Sequence, residues 1–198
     1  MEIKRAEYAY GFALPSQYRP NGMPEIAVAG RSNVGKSSLI NMLTRNSKLA
    51  KIGKTPGKTR IINAFIINQS FCLMDLPGYG FAKIAENEKQ RFSELIEYYL
   101  NNSEQLRHVF LLLDIRHEPT ADDKLMLDWL YYYQKPFSII ATKADKLSKA
   151  QQSKRIIELS RETGIISTSI FPVSAINGAG RPELLKRMEE LVASTIEE

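Results

Sequence analysis

Eight residues, GRSNVGKS from Gly30 to Ser37, have the types and spacing needed to hold a chain of phosphates. They fit G-x-x-x-x-G-K-[ST], in which the glycines let successive backbone N–H groups turn inward around a β-phosphate. A helix starting there would add its dipole. Lys36 reaches the β/γ-phosphates and the Ser37 hydroxyl can ligate Mg²⁺. Downstream, FCLMDLPG ends an apolar run in Asp75 and then reaches Gly78. A carboxylate there can hold the magnesium through water, and the Gly78 N–H can bond a γ-phosphate. Many such enzymes follow this glycine with a Gln that orients the attacking water. This chain has Tyr79, which can neither accept that water's proton nor hold the water as an amide does.

A third motif, TKAD from Thr142 to Asp145, selects the base. The Asp145 carboxylate can accept from both N1–H and the exocyclic NH₂ of guanine, whereas adenine offers an acceptor at N1 and no 2-amino group. A polar group left unpaired in the site costs a few kcal/mol, enough for strong discrimination. The stem of Lys143 can lie over the base. Thr142 stands where Asn is usual, so base binding is expected to be weaker while guanine selection survives. Backbone N–H groups of Val173, Ser174 and Ala175 are candidates for the guanine O6. The threonine that closes on γ-phosphate and metal must come from TPGKT. Of Thr55 and Thr59, we select Thr59, because it directly precedes a strand pattern.

The elements that must position these groups are legible in the hydrophobic pattern. EIAVAG (25–30) reads as a short buried strand, and residues 36–45 as a helix with Leu39, Ile40 and Leu43 on one face. Residues 46–60 form a loop. IINAFII and FCLMDL, separated by Asn68-Gln69-Ser70, suggest a hairpin. Helical spacing returns at 88–100, followed by a buried strand over 108–114. Thr120 with Asp123 and Ser148 with Gln151 fit capping boxes, and the second helix is expected to stop at Gly164. FSIIAT (137–142) and SIFPVS (169–174) read as strands, the latter short or at an edge because of Pro172. A last helix covers 182–196, with Leu184, Leu185, Met188, Leu191 and Val192 on one stripe. Tyr8, Tyr10 and Phe12 are expected to pack on the sheet, and the aromatic run in LYYYQ (130–134) to pack at a helix end rather than stack on RNA. This alternation predicts an α/β, three-layer domain, and with the phosphate and base motifs in it the chain resembles a P-loop GTPase (Ras-like) domain. Its six-stranded, mostly parallel sheet would have one antiparallel edge strand and helices on both faces. Ligands then bind beyond the carboxyl ends of the strands, where the motifs fall.

The length of 198 residues suits one domain, 1–198. A single cysteine, Cys72, lies in an apolar run and excludes an internal disulfide framework; His108 and His117 show no zinc spacing. No apolar run approaches the ~20 residues of a membrane span, and MEIKRAEYAY resembles no signal or transit peptide, so the cytoplasm is the expected compartment. The net charge of +5 is uneven: residues 1–70 carry +8 and the rest −3. Between Arg45 and Arg60 lie six basic residues and no acid. That loop either attracts the nucleotide or meets nucleic-acid phosphates.

Taken in order, GRSNVGKSSLIN, TPGKTR, DLPGYGFA, D-I-R-H (114–117) and TKAD resemble the EngB (YihA/YsxC) family of the TrmE-Era-EngA-EngB-septin-like GTPases. Thr142 and Tyr79 are both habits of that family. The resemblance implies GTP binding and slow hydrolysis linked to large ribosomal subunit assembly, and a requirement in cell division and septation. It implies a nucleotide site of Gly30, Arg31, Ser32, Asn33, Val34, Gly35, Lys36, Ser37 and Ser38, with Gly57, Lys58, Thr59, Arg60 and Ile61 from the basic loop. Asp75, Leu76, Pro77 and Gly78 join them, as do Thr142 to Asp145 and Val173 to Ala175. Magnesium falls to Ser37, Thr59 and Asp75, and catalysis to Lys36, Asn33, Thr59 and Gly78. Asn33 is assigned a potassium ion, because related GTPases with Asn there use such a cation. Loops 46–60 and 76–88 are expected to switch, and 45–60 to meet ribosomal RNA or protein, with the protein a monomer. Two other readings are an ATP-using kinase, which has no use for TKAD, and a binding module merely stabilised by nucleotide. Pro56 and the missing amphipathic helix argue against a membrane patch at 45–60.

Overall fold

The computed structural model describes residues 1–50, 61–80 and 86–193, and the architecture follows from strands that are apolar on both sides. All six residues of β2 (Glu25–Gly30) are buried. So are the five of β4 (Phe71–Asp75) and nearly all of β5 (Leu106–Asp114) and β6 (Phe137–Thr142). Such strands need cover on both faces, which a parallel sheet flanked by helices provides. The sheet is ordered β1-β3-β4-β2-β5-β6-β7, where β1 is Ala6–Phe12, β3 is Ile62–Ile67 and β7 is Ile170–Pro172.

Side-chain alternation sorts the two layers. Ala27 and Ala29 of β2 face α2 (Glu86–Asn102), α3 (Ala121–Tyr132) and α4 (Lys149–Thr163) in one buried cluster. Ile26 and Val28 face α1 (Lys36–Thr44) and α5 (Arg181–Ala193) in the other. Both capping boxes form, and α4 ends at Gly164 in the left-handed conformation. The short edge strand at Pro172 also forms. The final helix ends at Ala193 within the described residues, and 194–198 lie outside them.

The expected architecture holds, with one additional strand. Among the described residues β3 is the sole strand that runs against the others, but it is not at the edge: β1 pairs along its outer side, in the direction of the parallel set. β1 lacks a continuous apolar run because its outer edge faces water. Most of its residues are half-buried or exposed, so Tyr8, Tyr10 and Phe12 carry little strand signal on their own. The hairpin connection is the expected three residues, Asn68 to Ser70, with Asn68 and Gln69 both at positive φ and the Ser70 N–H on the Ile67 carbonyl at 2.9 Å.

Candidate functional site

Four loops leave the carboxyl ends of β2, β4, β6 and β7 on the same side of the sheet. The first is the phosphate-binding turn. Its last residue, Gly35, sits at φ 107°, where a side chain would be strained, and serves as N-cap of α1 without any side-chain cap. The first-turn N–H groups of α1, which have no intrahelical acceptor, therefore point into the turn. Asn33 is exposed at φ 65°. Val34 is buried and anchors the turn in the apolar layer around α1.

The second loop begins at Asp75, whose carboxylate pairs with the Lys36 ammonium. Both side chains are about nine-tenths buried, so the cation and the carboxylate expected at phosphate and metal converge on one point. Leu76 is fixed by its N–H on the Val28 carbonyl at 3.0 Å, and the Ser32 N–H bonds the Tyr79 carbonyl at 2.8 Å. Gly78 lies so close beneath that turn that a Cβ would meet Ser32 Oγ at 2.9 Å. The Asp75-to-Gly78 segment and the phosphate turn are thus laced together by backbone contact.

Tyr79 turns away from the phosphate turn. Its ring is buried among the side chains under α2 and α3, and its hydroxyl donates to Asp123 Oδ1 at 2.9 Å. Burial, and then the Asp123 charge, push its pKa well above that of a free phenol. Asp123 also caps α3, taking the Thr120 N–H at 2.9 Å. The sequence showed that cap but not the tyrosine bonded to it, because the two are 44 residues apart.

At the base loop, Asp145 accepts from Ser174 Oγ at 2.7 Å, and that bond, together with Lys146, holds its carboxyl below the usual range. Of the three backbone donors expected at 173–175, two are already used: Val173 on the Ala141 carbonyl and Ser174 on the Ala179 carbonyl. Among the described residues, the Ala175 N–H has no acceptor, which narrows the expectation to Ala175. Ala144 is fixed by its N–H on the Val173 carbonyl at 3.1 Å, joining the two loops. The Thr142 hydroxyl is directed at the Val34 carbonyl, at 2.8 Å, and so ties the base loop to the phosphate turn.

Sequence reasoning missed one participant. Lys143 Nζ spans the Asn33 carbonyl, at 3.1 Å, and Asp114 Oδ2, at 2.9 Å. Arg116 makes a two-pronged contact with the same Asp114 at 2.9 and 2.7 Å. Burial opposes ionisation of Asp114, but these hydrogen bonds outweigh it and hold its carboxyl well below the usual range. Asp114 and Arg116 entered above only through the D-I-R-H resemblance; a terminal Asp on a buried strand was the signal available. Gly57, Lys58, Thr59 and Arg60 lie outside the described residues, as does most of the basic loop; Ile61 is half-buried just before β3.

No group of three His, Cys, Asp or Glu side chains that could hold a metal occurs among the described residues. The donor set at Ser37 and Asp75 instead suits a hard cation that keeps several waters and shares phosphate oxygens, as Mg²⁺ does.

Open helix donors, a paired Lys and Asp, and a loop carboxylate braced by Ser174 define, on this sheet, a domain with the P-loop GTPase fold. Residues 25–143 match the family described as "50S ribosome-binding GTPase". The "Probable GTP-binding protein EngB" of Clostridium kluyveri is 50% identical, covering 97% of this chain and 98% of its own. Its namesake in Clostridioides difficile is 47% identical over 97% and 94%. A crystal structure of a probable GTP-binding protein engB superposes with a TM-score of 0.72 at 27% identity, over 85% of this chain and 98% of that one. Aquifex aeolicus Era bound to GDP and AlF4⁻ shares the fold, with a TM-score of 0.70 at 24% identity over 87% of this chain and 58% of its own. The chain belongs to the EngB family.

Proposed function

We propose that the protein binds GTP and hydrolyses it slowly to GDP and phosphate, acting as a magnesium-dependent switch in large ribosomal subunit assembly. The observation that carries this reading is the uncapped start of α1, which faces the Lys36–Asp75 pair on the same side of the sheet as Asp145 and Ala175. In this reading the N–H groups of Asn33 and of Gly35 to Ser38 and the Lys36 ammonium hold the β/γ-phosphates, and the Gly78 N–H holds the γ-phosphate, while the Val34 N–H closes the turn on the Arg31 carbonyl at 3.2 Å. Arg31 and Ser32 complete the phosphate turn, while Leu76 and Pro77 set the path of the chain from Asp75 to Gly78. Asp145 takes the guanine N1–H and NH₂, Ala175 N–H its O6, and the Lys143 stem covers the ring. Ser37, Asp75 and Thr59 would hold Mg²⁺, which neutralises charge between the phosphate oxygens.

Slow turnover is supported by Tyr79, whose side-chain hydroxyl is committed to Asp123, so that side chain supplies no group to the attacking water. Asn33 is assigned to a potassium ion that offsets charge developing in the transition state. Equal GTPase rates in K⁺ and Na⁺ would remove that part of the reading. The further parts are a single domain over 1–198, a cytoplasmic monomer, contact with ribosomal RNA or protein through 45–60, and a requirement in cell division and septation. They are supported by the 50S ribosome-binding family match, the basic charge of that stretch and the family resemblance. No described helix is long and apolar enough to cross a membrane.

The test is co-sedimentation of the full chain with purified large ribosomal subunits under GDP and under a non-hydrolysable GTP analogue, beside GDP and ADP affinities. We expect tight GDP and weak ADP binding, and subunit association with the GTP analogue that GDP weakens. Association indifferent to nucleotide would sink the switch.

A further inference from the structure

At the far end of α1 from the phosphate turn, a cleft of about 470 Å³ opens between the N-terminal segment and the start of the loop after α1. Lys4 and Arg5 stand on one wall, Arg45 and Lys48 on the other, with Asn46 and Ser47 between them. Both walls are fixed. Asn68 Oδ1 accepts the N–H groups of Lys4 and Arg5 at 2.8 and 3.1 Å, and the terminal amine of Met1 is held by Glu189 at 2.6 Å. Across the cleft, the buried Asn41 side chain bonds the Ser47 carbonyl and both backbone groups of Ala50 at 2.8 to 3.1 Å. The four basic side chains are nonetheless exposed.

Folding makes little use of this charge. Among the described residues, no carboxylate lies within ion-pair distance of Lys4, Arg45 or Lys48. Glu7, the one acid lining the cleft, pairs with Arg5 at 2.8 Å in an exposed contact. Arg45 is not required to neutralise the carboxyl end of α1 either. Arg181 already does that, donating to the Met42 and Leu43 carbonyls at 3.1 and 2.7 Å. Like charges crowded without an internal partner oppose folding, and an anion between the walls reverses that cost.

We infer that this cleft is a docking site for the sugar–phosphate backbone of structured RNA, an inference that rests on the ribosome-directed reading above and places Lys4 and Arg5 in its contact surface. The walls offer cations and short polar side chains but no aromatic or large apolar group. That suits phosphates and ribose hydroxyls and lacks the anchors of a protein interface. A recessed polar trench also has nothing to insert into a flat bilayer. Lys36 and Thr44 bound α1 and are about 12 Å apart along its axis, so RNA in the cleft leaves the phosphate turn free.

The test uses the full chain, a fluorescein-labelled RNA hairpin read by anisotropy across a salt series, and purified large subunits read by co-sedimentation. Reversing charge with Lys4→Glu/Arg5→Glu is expected to weaken hairpin binding at least about tenfold and to flatten the salt slope by roughly 1 to 2, with GDP affinity unchanged. Lys4→Ala/Arg5→Ala, which keeps the Asn68 backbone bonds, serves if the reversal unfolds the chain, and should flatten the slope in the same sense. Hairpin binding by either folded double variant within about twofold of wild type overturns the cleft, whatever residues 51–60 contribute. Wild-type association with the subunit but not with the hairpin also overturns it and leaves the ribosome reading standing. Wild-type binding to neither removes both.

Discussion

At the start of α4, Ser148 Oγ accepts the Gln151 N–H at 3.3 Å and Gln151 Oε1 takes the Ser148 N–H at 2.8 Å. At the start of α3, Thr120 and Asp123 do the same for each other. The start of α1, at the same end of the sheet, has Gly35 in the cap position and no side chain on its donors. A Gly in place of a Ser or Thr cap costs only a few tenths of a kcal/mol, so the helix tolerates the open donors. The difference separates helix starts that the chain completes for itself from one built to be completed by phosphate oxygens. Carboxylates divide in the same way. Glu25 is buried and takes hydrogen bonds from Tyr18, Tyr99 and Ser103, whereas Asp145 has one such bond and faces its loop.

Substitutions on the two sides of this comparison should therefore separate function from stability. The largest effect is expected for Lys36→Ala, with a loss of about 10² to 10³ in single-turnover GTP hydrolysis. Undiminished turnover would show that the α1 donors suffice without its charge. Asp145→Ala follows. Losing two charge-assisted hydrogen bonds, at about 1.5–3 kcal/mol each, should weaken GDP binding about a hundredfold or more by calorimetry and leave ADP binding unchanged. An equal loss for both nucleotides would point to a collapsed loop. Ser148→Ala should cost about 1 kcal/mol, lowering the melting midpoint by about 2–4 °C, with GDP affinity and turnover intact. Tyr79→Phe should be felt in stability and least in turnover. It removes one buried hydrogen bond to the Asp123 carboxylate, worth about 1.5–3 kcal/mol, and should leave the GTPase rate within about twofold of wild type. A collapse of the rate in Tyr79→Phe would place its hydroxyl in the chemistry after all.

Most of the fold was legible because the strands are buried on both faces and the helices carry explicit start and stop residues. Ser148 with Gln151, Gly164 and Pro172 each gave a boundary through local chemistry. β1 was not legible, because an edge strand half in water does not need the apolar run that marks the central ones. The phosphate and base motifs were equally plain, since Gly35, Lys36, Asp75 and Asp145 act through local backbone geometry or a single charge. The Asp114–Lys143 pair, the Tyr79–Asp123 bond and the Lys4–Arg5 wall join residues far apart in the chain. No spacing rule records such contacts.

The sequence by itself determined the alternation of strands and helices, the G-x-x-x-x-G-K-S turn and the loop carboxylate of TKAD, because these follow from periodicity and from side chains acting within a few residues. Only the tertiary structure decided that Tyr79 belongs to the core, that Ala175, unlike Val173 and Ser174, keeps its N–H free among the described residues, and that Lys4 and Arg5 face Arg45 and Lys48 across a cleft. Where a side chain points, and what charge it meets, depend on which strands become neighbours. That pairing is settled by packing over the whole sheet, not by any segment alone.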